Sequence, residues 1–503
     1  MSEWLNNTAK SLAHKVFRAE QVRDNEAAAA HAAKCSMFEL MQRAGQGAFN
    51  HLRLTWPHAR KILVLAGPGN NGGDGYIIAD LARQQGLQVS LGCVDTRKQL
   101  RAEAVFAQQQ WLQGGGEVLA WQTLDLTSFD VIVDALLGTG LKGEPKDEYQ
   151  QVIKAINALS IPVLSIDIPS GLHADRGHPL GVAVKANCTL SVVGIKSGLC
   201  TGMAKEYVGE LVFDDLGIGR EFSARVEPQA QLINYASLAP LAARRDNAHK
   251  GSHGKLLCIG GNKGMAGAIR MSGEAALRTG VGLLKVFCHP DSEGAVSSGR
   301  PELMLASQAL QQQLNWASCI AIGPGLGQNE WSQSLFTALA QHLTTQPKAV
   351  VIDADGLNIL VKRPQLMKNL AKLVITPHPG EAARLLNCSI RDIEHERYGA
   401  AIELAKTYQA CCVLKGPGTI ISDGSQTFVC TDGNPGMASG GMGDVLTGII
   451  AALLAQGVSA MQAAAYGVCL HSASADKLAA QYGQRGMLAT DLFEALRALV
   501  NWK

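Results

Sequence analysis

The sequence predicts an α/β protein with two tandem domains, each built around a largely parallel sheet. Short apolar runs alternate with helical patterns twice along the chain, and a polar segment separates the two series. With 503 residues, 47% of them hydrophobic, the chain is too long for one ordinary core and can fill two.

The first series follows residues 13–54, where Ala, Leu and Met at helical spacing predict one or two helices. Buried strands are predicted at 61–67, 87–93, 131–138 and 162–168. Helices are predicted between them at 77–85, 98–113 and 147–159. This pattern indicates a Rossmann-like three-layer domain over 1–219, with binding residues at the carboxyl ends of the strands.

The segment 220–250 is polar, and it is predicted to be a linker and the start of the second domain. In the second domain, at 251–503, strands are predicted to begin the segments 255–261, 283–290, 319–327, 349–356, 373–381 and 411–419. A glycine-rich loop at 433–443 then leads into a long helix from Asp444.

Charge and cysteine usage exclude several classes of protein. Lys and Arg number 45 against 43 Asp and Glu, so no broad field attracts nucleic acid or a membrane surface. The longest apolar stretch, 445–458, is interrupted and too short to span a bilayer comfortably. Twelve cysteines without a C-x-x-C pair are typical of reduced thiols. We therefore predict a cytoplasmic protein without nucleic-acid or membrane partners.

The loop GPGNNGGDG at 67–75 allows two interpretations. Its glycines permit a close approach of backbone N–H groups to a phosphate, or they form a tight turn capped by Asp74. This loop alone favours neither. Asp134 and Asp167 end two further predicted strands, and three polar strand ends at one rim favour a ligand site.

Together, GPGNNGGDG, DALLGTGLKGE and SIDIPSGL resemble the NAD(P)H-hydrate epimerase family across 1–219. The resemblance implies that the substrate phosphates bind Asn71, Gly72, Gly73, Asp74 and Gly75. It implies further substrate contacts at Gly138, Thr139, Gly140, Leu141, Lys142, Gly143, Glu144, Tyr149 and Asp167, with Asp167 as the acid–base group. It also implies a potassium site at Asn71, Asp134 and Ser170.

In the second half, KGPGT at 415–419 places a lysine at a strand end before two glycines, which suits a phosphate. Asp444 follows GGMG at a helix start, as either an N-cap or a general base. We favour the base, because a carboxylate beside an anion hole is a poor structural choice. Asp353 and Asp355 could equally hold Mg²⁺ or turn the chain.

These motifs, with GPGLG, DADGLN and TPHPGE, resemble the ribokinase-like NAD(P)H-hydrate dehydratase family from about residue 250 onward. The resemblance implies hydrate contacts at Ala268, Gly325, His378 and Asp444. It implies a nucleotide site at Lys415, Gly416, Pro417, Gly418, Thr419 and Gly443. Gly356 departs from the usual alanine of this family.

The two resemblances together imply metabolite repair. One domain would interconvert the R and S forms of hydrated NADH and NADPH, and the other would dehydrate the S form. Dehydration would consume ADP and yield AMP and phosphate, with K⁺ in the first domain and Mg²⁺ in the second. We also expect a homo-oligomer. The alternatives are a small-molecule kinase fused to a nucleotide-binding domain, and a non-catalytic binding module.

Overall fold

The computed structural model describes residues 4–5, 11–96, 98–101, 103–306, 309–364 and 372–501. The chain divides into two compact units. The first unit comprises 10–231, and the second comprises 232–503 with the first nine residues. Within the described ranges, none of the helices is long and apolar enough to cross a membrane.

The described part of the first unit contains ten strands, the last of which continues into the second unit, and six α-helices. The strands are β1 (Lys15–Phe17), β2 (Lys61–Ala66), β3 (Gln88–Cys93), β4 (Val118–Ala120), β5 (Val131–Ala135), β6 (Val163–Ile166), β7 (Cys188–Val192), β8 (Ile195–Lys196), β9 (Glu210–Asp214) and β10 (Ala230–Ile233). The helices are α1 (Ala19–Ala32), α2 (Met37–Thr55), α3 (Asn70–Gln84), α4 (Glu103–Gln113), α5 (Asp147–Asn157) and α6 (Gly219–Ser223).

Seven of these strands form a parallel sheet in the order β4-β3-β2-β5-β6-β7-β9. The chain proceeds outward from β2 through β3 on one side, and from β5 through β6 on the other. The connections therefore diverge between β2 and β5, which creates a crevice at the carboxyl ends of these two strands.

Helix α3 begins seven residues earlier than predicted, at Asn70 instead of residue 77. Gly72, Gly73 and Gly75, which suggested a loop, lie inside this helix and allow it to approach the sheet. A Cβ on Gly72 would lie 1.8 Å from the Gly67 carbonyl oxygen, and one on Gly75 would lie 2.8 Å from the Ala135 Cβ. Close packing, in addition to turn geometry, therefore accounts for these glycines.

The first unit also extends beyond the predicted boundary at 219. Strand β1 pairs antiparallel with β10 and parallel with β8. On α6, Phe222 is fully buried, and its ring centroid lies 5.1 Å from that of Phe17. The segment after residue 219 therefore packs on β1 before the chain enters the second unit.

The second unit repeats the α/β alternation with a larger sheet. Its remaining strands are β11 (Lys255–Ile259), β12 (Leu283–Phe287), β13 (Met304–Leu305), β14 (Cys319–Ile322), β15 (Ala349–Ile352), β16 (Leu373–Ile375), β17 (Cys411–Leu414), β18 (Thr419–Ser422) and β19 (Thr427–Cys430). Its helices are α7 (Ala266–Arg278), α8 (Glu293–Ser297), α9 (Leu310–Trp316), α10 (Glu330–Thr345), α11 (Ala354–Lys362), α12 (Pro379–Leu386), α13 (Ile390–His395), α14 (Arg397–Tyr408), α15 (Met442–Ala455), α16 (Ala460–Tyr482) and α17 (Leu492–Leu499).

The strands of this unit follow the order β13-β12-β11-β14-β15-β16-β17-β18-β19. They are parallel as far as β17, and the last two pair antiparallel. Helix α15 is buried along nearly its whole length, as expected for a helix that is apolar on all sides. A Cβ on Gly448 would lie 2.1 Å from the Ser272 carbonyl oxygen, so α15 packs closely on α7.

Trp4 and Leu5 pack in the second unit, whereas the sequence predicted them in the first. The Trp4 ring centroid lies 5.3 Å from that of Phe428 and 5.8 Å from that of Tyr466. Leu5 is buried in the same apolar core. The physical reason for the difference is this aromatic cluster, which joins residues far apart in the sequence.

Candidate active sites

A cleft of about 480 Å³ opens at the carboxyl ends of β2 and β5 in the first unit. The turns after these strands, at 68–71 and 136–141, line it together with Asp167. The cleft therefore occupies the crevice that the strand order creates, where α/β sheets commonly bind ligands.

The amino-terminal end of α3 lies at this cleft. The first backbone hydrogen bond of the helix runs from Gly73 N to Gly69 O over 3.1 Å, so the preceding N–H groups can receive an anion. Asn71 and Asp74, two of the residues predicted to bind the substrate phosphates, line the cleft. In contrast, Gly72, Gly73 and Gly75 lie against protein atoms, so their side of the helix is occupied by packing.

Asn71, Asp134 and Ser170 come together at the ends of their elements. Asp134 is fully buried and accepts hydrogen bonds from Ser170 Oγ at 2.5 Å and from Ser165 Oγ at 2.8 Å. Burial raises the pKa of Asp134, although these hydrogen bonds act in the opposite direction. Asn71 Nδ2 donates to Leu137 O over 3.2 Å, while its buried Oδ1 has no hydrogen-bond partner among the described residues.

Asp167 lies just after β6 in the left-handed backbone region, with a φ of 65°. Its Oδ1 accepts from Val192 N at 3.2 Å and forms an ion pair with Lys196 Nζ. Lys196 is almost fully buried, and its ammonium also donates to Val192 O at 2.8 Å. A non-glycine residue in this backbone region at a cleft is a frequent sign of function.

Two of the other carboxyl groups that line the cleft have a raised pKa. Burial raises the pKa of Asp74, and the nearby charges of Asp167 and Glu26 add to this effect. Burial likewise raises the pKa of Glu26 to about 7, against the opposing influence of Lys196. The cleft thus combines an ion pair with carboxyl groups that retain their protons more strongly than usual.

The predicted substrate-binding segment 138–144 divides in the structure. Gly138, Thr139, Gly140 and Leu141 line the cleft. Lys142, Gly143 and Glu144 continue beyond its lining. Tyr149 is buried in an apolar cluster on α5 with Val152 and Ile153, so it contributes to packing.

In the second unit, an ion pair joins the ends of β15 and β17. Lys415 Nζ lies 2.8 Å from Asp353 Oδ1, and Thr447 Oγ1 donates to Asp353 Oδ2 over 2.7 Å. Burial opposes ionisation of Asp353, but Lys415 and Thr447 outweigh it and lower its pKa. Burial similarly favours the neutral Lys415 amine, but Asp353 and Glu381 raise its pKa. A permanent charge pair therefore lies at the centre of this rim.

Asp444 lies in the first turn of α15. Burial raises its pKa to about 7, with Asp353 adding to the shift and Lys415 opposing it. The neighbouring Gly443 is close to the ion pair, since a Cβ there would lie 3.3 Å from Lys415 Nζ. Asp444 can therefore exchange a proton near neutral pH, as a general base requires.

His378 caps helix α12 and is half-exposed. Its Nδ1 accepts from Gly380 N at 3.0 Å, which assigns the neutral ring the tautomer with the proton on Nε2. Burial lowers the pKa of His378, and the charge of Lys415 adds to this effect. His378, which is predicted to contact the ligand, is thus a neutral hydrogen-bond donor at this rim.

Gly325, in the loop after β14, lies close to Ala268 in the first turn of α7. Gly325 has a φ of 58°, and a Cβ there would lie 3.2 Å from the Ala268 Cβ. Asn262 N donates to Gly325 O over 2.7 Å and joins the loop after β11 to the loop after β14. These contacts hold Gly325 beside Ala268.

The segment 415–419 forms the turn between the antiparallel strands β17 and β18. Behind it, the buried Arg397 guanidinium donates to Lys415 O over 3.2 Å. A Cβ on Gly416 would lie 2.9 Å from the same guanidinium. Thr419 Oγ1 donates to Gly416 O at 2.9 Å, and Pro417 and Gly418 complete the turn. The predicted nucleotide loop is therefore held from behind by a cation.

The two aspartates of the DADG segment have different roles. Asp355 accepts from Gly327 N at 2.9 Å and fixes the loop after β14, whereas Asp353 pairs with Lys415. Across the described part of the chain, His, Cys, Asp and Glu form no group of three that could hold a metal ion. Of the two interpretations, Asp355 therefore fits the structural one.

Comparison with known proteins places both halves in one family. Residues 37–198 match the family described as YjeF-related protein N-terminus, and residues 256–498 match NAD(P)H-hydrate dehydratase. The chain is 45% identical to the bifunctional NAD(P)H-hydrate repair enzyme Nnr of Escherichia coli, over 98% of this chain and 95% of that protein. This chain belongs to the bifunctional NAD(P)H-hydrate repair enzyme family.

A second member, from Coxiella burnetii, is 44% identical over 97% of this chain and 99% of its own. A solved ADP/ATP-dependent NAD(P)H-hydrate dehydratase from Bacillus subtilis, co-crystallised with ATP and Mg²⁺, is 29% identical. It aligns with a TM-score of 0.46 over 52% of this chain and 93% of its own.

Membership of the NAD(P)H-hydrate repair family confirms the two predicted resemblances and the α/β class with two tandem domains. It also confirms that the chain is an enzyme with both kinds of domain. The interpretations as a fused small-molecule kinase or a non-catalytic binding module are therefore not supported.

Sequence reasoning missed several polar residues of these two sites. Lys196 lies between two glycines in GIKSG, just after a strand, and this signal could have identified it. Glu381 follows the predicted His378 by three residues and lies 3.8 Å from Lys415 Nζ. Glu26 carries no local signal, because it reaches its site from α1, a helix distant in the sequence. Arg397 begins α14, the helix just before β17, and nothing in its local sequence marks it as part of the site.

Proposed function

We propose that this chain repairs hydrated NADH and NADPH. In the first unit it interconverts the R and S forms, and in the second it dehydrates the S form with ADP, giving AMP and phosphate. The observation that carries the proposal is Asp444, a base near neutral pH beside the Lys415–Asp353 pair, in a chain 45% identical to a repair enzyme over nearly its full length.

For dehydration, the Asp444 carboxylate takes the proton of the hydrate's hydroxyl group. The oxygen then bonds to the terminal phosphorus of ADP, and the bond from that phosphorus to the AMP oxygen breaks. Phosphate is a better leaving group than hydroxide, so the carbon–oxygen bond now breaks. Loss of a proton from the adjacent ring carbon restores the reduced nicotinamide.

The residues around Asp444 support this sequence of steps. Lys415 supplies a fixed positive charge, and Gly440 and Gly441 lead into α15, whose first N–H groups favour developing negative charge. His378 offers an Nε2 proton to a ligand oxygen. Ala268, at the start of α7, and Gly325, in the loop after β14, lie in contact with each other, and we assign the hydrate ring to this position.

For epimerisation, we assign acid–base chemistry to Asp167 and substrate binding to Asn71, Asp74 and the segment 138–141. The strained backbone of Asp167 and its ion pair with Lys196 support this assignment. The free N–H groups at the start of α3 suit the pyrophosphate of a dinucleotide.

Potassium fits the first site by its donor chemistry. The unpartnered Asn71 Oδ1, the Ser170 hydroxyl and the Asp134 carboxylate offer oxygen only, with one formal charge. Zn²⁺ would require His or Cys, and tight Ca²⁺ binding would require more carboxylates. A bound K⁺ would offset phosphate charge near the start of α3.

Magnesium in the second site would bind mainly through the nucleotide phosphates and water, because Asp353 is already engaged by Lys415 and Thr447. The preference for ADP is carried over from the resemblance. A homo-oligomer and a cytoplasmic location remain predictions.

The proposal is tested by incubating the full chain with chemically hydrated NADH and either ADP or ATP, while following reduced-nicotinamide absorbance. We expect absorbance to return only with nucleotide, with one AMP and one phosphate formed per NADH when ADP is supplied. A stable phosphorylated product would instead identify a kinase.

A further inference from the structure

Glu26 occupies an unusual position on helix α1. It lies four residues after Val22 and four before Ala30, and both of these residues are buried in an apolar cluster. Residues at this spacing share one helix face, so Glu26 lies on the face that packs on the protein. A carboxylate on such a face is costly unless it has a function or a partner.

Glu26 is only partly exposed, and it lines the same cleft as Asp167 and Lys196. These three residues come from α1, from the end of β6 and from β8, so the fold brings them together from distant segments. The buried ammonium of Lys196 is paired with Asp167 rather than with Glu26. Glu26 therefore remains a carboxyl group at the cleft that the ion pair does not engage.

The buried position of Glu26 favours its protonated form, while the charges around it act in both directions. Burial is the largest influence and raises its pKa to about 7, with Asp167 and Glu103 adding to the shift. The charge of Lys196 acts in the opposite direction. The cations of the rim, Arg23, Lys98 and Arg101, are exposed to solvent, which screens them. The buried Asp74 adds a further carboxyl group to the same cleft.

We propose that Glu26 is a second acid–base residue of epimerisation, acting with Asp167. This inference rests on the proposed function of the first unit. Inversion of one carbon requires a group to leave one face of the ring and return to the other. One carboxyl group can give a proton to the departing group while the other takes a proton from the returning group.

The chemistry follows from the hydrate itself. Water adds to the enamine of a reduced nicotinamide with the hydroxyl on the carbon next to the ring nitrogen. Glu26 gives its proton to this hydroxyl, the carbon–oxygen bond breaks, and water leaves with the bonding pair. The nitrogen lone pair forms a C=N⁺ bond with that carbon. Water then bonds to the opposite face, and the Asp167 carboxylate takes the released proton.

The experiment compares Glu26→Gln with Glu20→Gln in the full-length chain. Glu20 lies on the same helix with its side chain 72% exposed, so it is a matched control. Each protein receives mixed R and S hydrates with excess ADP. The dehydratase of the same chain then reports the S form directly and the R form only after epimerisation. We expect Glu26→Gln to slow the R phase by about 10²–10⁴-fold and leave the S phase and melting temperature unchanged.

A pH profile separates chemistry from packing. Wild-type epimerisation should decline above about pH 7 as Glu26 loses its proton, and Glu26→Asp should keep this decline at a lower rate. In Glu26→Gln, the decline of epimerisation above about pH 7 should be absent. An R phase within about twofold of wild type in Glu26→Gln overturns the inference while the proposed function stands. A wild-type chain that never consumes the R form overturns both.

Discussion

Lys415 Nζ lies 2.8 Å from Asp353 Oδ1, and this pair joins the ends of two strands beside Asp444. The two charges act on Asp444 in opposite directions: Asp353 raises its pKa and Lys415 lowers it. The second site is therefore an electrostatic unit, in which a change at one residue alters proton exchange at another.

Asp444→Asn should reduce dehydration by about 10²–10⁴-fold, because a positioned base is lost. Epimerisation in the other unit should continue at the wild-type rate. The check is the rate of NADH recovery from the S hydrate with ADP, beside the melting temperature of the variant. A near wild-type rate of dehydration in Asp444→Asn would contradict the assignment of Asp444 as the base.

The pH dependence of dehydration should have an acidic limb near pH 7. Asp444 must be ionised to take a proton, and its pKa is raised to about 7, so kcat/KM should rise with pH up to this value. Asp353→Asn should move the limb to lower pH, because the negative charge that raises the pKa of Asp444 is removed. A limb that does not move in Asp353→Asn would contradict this electrostatic account.

Asp134→Ala should weaken epimerisation and abolish its dependence on K⁺. In the wild type, K⁺ should raise the melting temperature and the epimerisation rate more than a larger monovalent cation does. Glu20→Gln serves as a control, because the Glu20 side chain is 72% exposed and lies outside the proposed set of ligands. If the wild type responds equally to every monovalent cation, the assignment of the potassium site is wrong. The role assigned to Asp167 does not depend on that result.

Trp4→Ala should destabilise the second unit selectively. Each aromatic pair contributes about 0.5–1.5 kcal/mol beyond its buried area, so loss of the contacts with Phe428 and Tyr466 should cost about 2 kcal/mol. Thermal inactivation should therefore occur at a lower temperature for dehydration and be unchanged for epimerisation. Equal shifts in both activities would show that Trp4 stabilises more than the second unit.

Much of the fold could be predicted from the sequence, because buried parallel strands leave a strong local signal. The strands at 61–66, 131–135 and 349–352 all lie within predicted ranges. The start of α3 could not be predicted, since glycines that allow helix–sheet contact look the same as glycines of a loop. The edge strand β4 was also missed, because its three residues are too few to form a pattern.

The site was predictable where its residues follow strands. Asp134, Asp167, Lys415 and Asp444 all lie at strand ends or at a helix start, and polar residues there are conspicuous beside apolar runs. Glu26 could not be predicted, because its role depends on where α1 packs. The role of Trp4 in the second unit likewise depends on contacts with residues more than 400 positions away.

The most direct test of the account is the fraction of NADH recovered from a mixture of R and S hydrates with excess ADP. The full chain should recover both forms completely. Asp167→Asn should recover the S form at the wild-type rate and then stall on the R form, while Asp444→Asn should recover neither. A wild-type chain that recovers no NADH with any nucleotide, or that accumulates a phosphorylated hydrate, would contradict the account.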